Sequence, residues 1–67
     1  MTSPKTDAAL AEIKAAVEMG QSAIVPAYFS LFFGTPATSA AFRMAKASGL
    51  IVVAYISHSG TPVYRGA

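Results

Sequence analysis

At 67 residues the chain is sized for a single domain, 1–67, near the lower limit for folding without a covalent or metal staple. It has no cysteine, which excludes a disulfide framework, and its one histidine and three scattered carboxylates cannot build a tetrahedral zinc site. The core must come from apolar packing, and 54% hydrophobic residues, with three tyrosines and four phenylalanines, can supply it.

The longest apolar run, Ala23 to Phe33, is broken by Pro26 and Ser30 and is about half of the ~20 residues needed to cross a bilayer. The N-terminus places Asp7 and Glu12 where a secretory signal needs basic and then apolar residues. A cytoplasmic protein without a membrane segment is therefore expected.

The net charge of +2 is unevenly spread. Lys5 and Lys14 against Asp7, Glu12 and Glu18 leave the start of the chain at −1, and no acidic side chain follows Glu18. Arg43, Lys46 and Arg65 give the remainder +3. Such polarity suits a domain that turns one face to a polyanion, although an alanine-rich, apolar tail also has few charges of either sign.

In chain order, residues 1–6 are expected to be flexible, with Ser3-Pro4 and Thr6-Asp7 as two possible helix starts. From there to Met19, Leu10, Ile13 and Val17 recur at helical spacing, with Ala9 and Ala16 beside them. Glu12 and Glu18 fall on the opposite side, and Gly20 stops the helix.

Residues 22–34 are more ambiguous, since aromatic residues also favour strands. Pro26 at one end and Gly34 at the other favour a short helix over Pro26 to Phe33, anchored by Tyr28, Phe29, Phe32 and Phe33. Thr35-Pro36 starts a third helix that runs to Ser48 and stops at Gly49. At 100° per residue, Thr38, Ala41, Phe42, Met44, Ala45 and Ser48 share one sector, and Ser39, Arg43 and Lys46 share the other.

Ile51 to Ser57 is rich in β-branched and aromatic residues and reads as a strand. His58-Ser59-Gly60-Thr61 is a turn, and Pro62 to Arg65 returns as an edge strand that tolerates the proline. Tyr55 and Tyr64 are expected to face each other across the hairpin.

Three segments carry a likeness to a known family: Val25-Pro26 to Gly34-Thr35, Thr35 to Ile51 with its Gly-Leu-Ile stop, and Gly60-Thr61-Pro62-Val63-Tyr64-Arg65. Over roughly residues 8 to 66 the chain resembles the winged helix-turn-helix DNA-binding domains of small prokaryotic and phage regulators. The resemblance implies an α+β fold: a three-helix winged helix-turn-helix with a C-terminal two-stranded β-hairpin as the wing. The chain departs from that pattern in its aromatic second helix and in a third helix poor in arginine, asparagine and glutamine.

The function implied is binding of double-stranded DNA, with the third helix in the major groove and the wing on the backbone. Arg43 is then placed to read guanine and Lys46 to reach phosphate, with Thr38 and Ser39 near the helix N-terminus bonding phosphate or base edges. His58, Ser59 and Thr61 at the hairpin tip, with Arg65 on the return strand, would contact the backbone. Without a fold to place them, Arg43 and Lys46 are equally two cations at the favoured end of a helix dipole. The tip residues are equally an ordinary turn.

His58 has no cysteine and no nearby carboxylate in sequence to orient it as a base, so catalysis is not expected, and no cofactor is implied. The rings exceed what a core this small can bury, so Tyr28, Phe32 and Phe42 are candidates for an exposed patch and a homodimer is expected. The same patch supports a rival reading, an inhibitor or adaptor that binds another protein.

Overall fold

The computed structural model describes residues 3–67. Three helices, α1 (Pro4–Glu18), α2 (Pro26–Phe33) and α3 (Thr35–Ala47), precede an antiparallel hairpin of β1 (Ile51–Ile56) and β2 (Pro62–Gly66). This is the expected α+β layout of three helices and a β-wing.

Proline and glycine punctuation explains the boundaries. Ser3 caps α1: its Oγ accepts from the Thr6 N–H at 3.1 Å and lies 2.9 Å from Thr6 Oγ1. Thr6 is buried and α1 begins at Pro4, within the stretch expected to be flexible, while residues 1 and 2 lie outside the described residues. The C-terminus of α1 is closed by two bonds, from Gly20 N–H to the Val17 carbonyl and from Gln21 N–H to the Ala16 carbonyl. α3 ends the same way, with Gly49 N–H on the Lys46 carbonyl and Leu50 N–H on the Ala45 carbonyl.

A single residue, Gly34, separates α2 from α3. Its φ of 83° and ψ of 155° lie where side chains clash, so the sharp turn between the two helices depends on glycine. Gly34 N–H closes α2 on the Ser30 carbonyl, and the Gly34 carbonyl accepts the Thr38 N–H that opens α3.

The core is built between α1, α3 and the hairpin. Ile13, Ile24 and Ile51 are its largest fully sealed side chains, and Ala9, Ala41 and Ala45 let α1 and α3 approach closely. Phe42 packs on Tyr64 at 5.2 Å between ring centres and meets Phe29 edge-to-face at 5.1 Å. Phe42 is thus a core ring, which removes it from the exposed patch expected for it. Met44 and Ser48, expected in the packed sector of α3, sit at its exposed margin.

The hairpin is held by a second pairing that the amino-acid pattern does not announce. Ile24, between α1 and α2, donates to the Tyr64 carbonyl at 2.7 Å and accepts from the Tyr64 N–H at 3.0 Å. β2 is the expected edge strand of a two-stranded sheet, covered on its outer side by Ile24 at Tyr64, and Pro62 is its first residue, away from Ile24. The register pairs Val53 with Tyr64 and Tyr55 with Val63, with an irregularity between Val53 and Tyr55. Tyr55 consequently stands exposed while Tyr64 is buried, and the two tyrosines do not form the expected pair. At the far end of β2, a Cβ on Gly66 would lie 3.1 Å from Val17 Cγ1, so the strand lies close against α1.

Candidate nucleic-acid interface

Burial of Ala37, Thr38, Ala41, Phe42 and Ala45 fixes which way α3 faces. Ser39, Arg43 and Lys46, at i, i+4 and i+7, remain exposed in one row on the opposite side. The helix therefore presents a hydroxyl and two cations on a surface otherwise made of small residues.

Thr38 does not join them. It is 2% exposed, and its Oγ1 is buried with no hydrogen-bond partner. Its role at a nucleic-acid surface is withdrawn for that reason. Its helical phase with Ala41, Phe42 and Ala45 already put it in the packed sector, and proximity to the helix N-terminus does not override phase.

The second cluster is the hairpin tip. Gly60, at φ 84°, lets the chain reverse, with Gly60 N–H on the Ser57 carbonyl and Ser57 N–H on the Thr61 carbonyl. His58, Ser59 and Thr61 are all exposed there. Ser57, which is not among the expected tip residues, completes a triangle of hydroxyls: Ser57 Oγ lies 2.9 Å from both Ser59 Oγ and Thr61 Oγ1, which are 3.2 Å apart.

Arg65 is exposed, opposite Val52 in the ladder, and its Nη1 donates to the Gly66 carbonyl at 3.1 Å. Its neighbour Tyr64 points into the core against Phe42. That ring contact ties the wing to α3, so the two clusters ride on one packed unit. Arg43 and Lys46 share a helix face, while Arg65 and the tip residues sit on the hairpin, as a second group rather than part of the same row.

A different surface lies beside α1 and α2. Tyr28, Leu31 and Phe32 form a stripe on α2 and are 65%, 81% and 83% exposed, and Met19, just past α1, is 75% exposed. Next to the stripe is a groove of about 450 Å³ with Ala15 and Ala16 from α1 and Phe29 and Phe33 from α2 in its lining. Leu31 and Met19 were not singled out from the sequence. The spacing of Tyr28, Leu31 and Phe32 at i, i+3 and i+4 was the signal that marks them as one face.

Among the described residues no cluster of histidine, cysteine, aspartate and glutamate could hold a metal ion, and no helix is long and apolar enough to cross a membrane. Comparison with known proteins gives no matching family model, no matching curated protein and no matching solved structure.

Proposed function

We propose that this chain is a small DNA-binding domain, a transcriptional regulator of the winged helix-turn-helix type that works in the cytoplasm. The observation that supports this reading is the segregation of charge. Arg43 and Lys46 share the outward face of α3, Arg65 stands exposed on the wing, and no carboxylate side chain follows Glu18. α3 docks in the major groove, where Arg43 pairs with guanine through two N–H donors and Lys46 neutralises a phosphate. Ser39 bonds backbone near the start of the helix. The wing lies on the backbone through Arg65 and the tip residues His58, Ser59 and Thr61.

Three cations neutralise about three phosphates per subunit, so the log–log dependence of affinity on salt should have a slope of about −3 for one subunit and about −5 for a pair. Mobility shift of random duplex DNA at low and moderate salt measures this. Arg43→Ala should cost about 1–3 kcal/mol and relax base preference, whereas Lys46→Ala or Arg65→Ala should weaken all sequences alike and flatten the slope. A folded triple-alanine variant that binds as well as the parent would refute groove docking.

One observation favours a second reading: the exposed stripe of Tyr28, Leu31 and Phe32 suits a protein-binding inhibitor or adaptor. Absence of DNA binding by the parent at low salt, together with a salt-indifferent protein interaction, would select it.

A further inference from the structure

The groove between α1 and α2 and the stripe beside it form one surface, and we infer that its occupant is the same surface of a second copy of this chain. Phe32 and Tyr28 line the groove and also project from its edge, so knob and hole lie on one face. A two-fold axis passing beside α2 would set each copy's Phe32 into the other's groove. Isologous pairing requires this kind of self-complementarity.

Area supports the pairing. Large apolar side chains carry about 150–250 Å², so the exposures of Met19, Tyr28, Leu31 and Phe32 leave on the order of 500 Å² of mostly apolar surface. That is at the upper end of the largest patch on an ordinary monomer, ~300–600 Å². It is also well over half of the ~800 Å² that each side of a stable interface buries.

Charge does not oppose it. α2 has no charged residue, so two copies of α2 can meet without like charges in contact, and Glu12 is the one charged residue lining the groove. Arg43, Lys46 and Arg65 do not line it, so seating Phe32 in the groove uses none of these cations. The inference stands apart from the DNA reading, since it uses none of the residues assigned to DNA.

Sedimentation equilibrium of the full chain at micromolar concentration should give twice the 6.9 kDa chain mass. Phe32→Glu, on so exposed a side chain, should keep the far-UV circular dichroism of the parent and raise the dimer dissociation constant at least about 30-fold, the scale of a truncated interface hot spot. Leu31→Lys is the second variant should Phe32→Glu disturb folding. The chain has no cysteine of its own, so location can be read by cross-linking. Under mild oxidation Leu31→Cys should form an intermolecular disulfide, and Tyr55→Cys, exposed on β1, should not.

A monomer at every concentration up to hundreds of micromolar would overturn the inference. So would a dimer that survives both α2 variants, or cross-linking through Tyr55→Cys in place of Leu31→Cys. Loss of the dimer with DNA binding retained at the shallower slope supports both readings. A dimer that binds no DNA removes the DNA reading alone.

Discussion

α2 and α3 are neighbours joined by one glycine, yet they use their side chains in opposite ways. α2 is apolar at every position but Ser30, and none of its residues is fully buried. α3 carries alanines, hydroxyls and cations, and five of its residues are buried. The difference teaches that burial here follows fit more than hydrophobicity. Alanines let α1 and α3 close to contact, and the small core that results has room for Phe42 and Tyr64 and only part of Phe29 and Phe33. The remaining rings of α2 are left at the surface, where they can act on something else.

The largest effect that would test this contrast is truncation of the sealed side chains. Ile13→Ala or Ile24→Ala should cost about 2–5 kcal/mol in urea unfolding. Phe32→Ala, measured where the chain is monomeric, should change stability by no more than about 0.5 kcal/mol despite removing a larger group. Equal losses at both sites would erase the distinction between core and patch.

A smaller effect probes the alanine contact directly. Ala41→Leu inserts bulk where α3 is fully buried and should cost about 1–3 kcal/mol, although leucine is nearly as good a helix former as alanine. A neutral result would mean that α1 and α3 can separate without loss, and that alanine does not set their spacing.

The smallest effect has the opposite sign. Thr38→Val replaces the buried, unpartnered hydroxyl with a methyl and should raise stability by about 1 kcal/mol while leaving DNA affinity unchanged. A fall in DNA affinity with stability intact would return Thr38 to the interface.

Much of the fold was legible because its boundaries are written in residues with narrow backbone preferences. Pro26, Gly34, Pro36, Gly49 and Gly60 mark starts and stops that hold whatever the tertiary packing does. The pairing of Ile24 with Tyr64 was not legible, since one extended residue leaves no alternating pattern and its partner is far along the chain. That pairing covers the edge strand β2 at one residue, whereas its edge position was legible from Pro62. The rings were the other blind spot. Tyr28, Phe29, Phe32, Phe33 and Phe42 are alike in apolarity, and only the assembled helices decide that Phe42 goes inside and Phe32 outside. Within the candidate interface the exposed cations on α3 were legible from helical phase, whereas the contacts of Ser57 needed the turn to bring three hydroxyls together.

That triangle has a consequence for how the wing could meet a phosphate. Each hydroxyl owns a single proton, and when the three groups bond head to tail all three protons are used internally. The tip then shows lone pairs outward, which repel an anionic oxygen. Accepting a phosphate means turning one proton out of the circuit, exchanging an internal bond for an external one of similar strength. The tip would thus act as a rotor that recognises anions at nearly zero net gain, and the holding force would fall to Arg65, further along β2 opposite Val52.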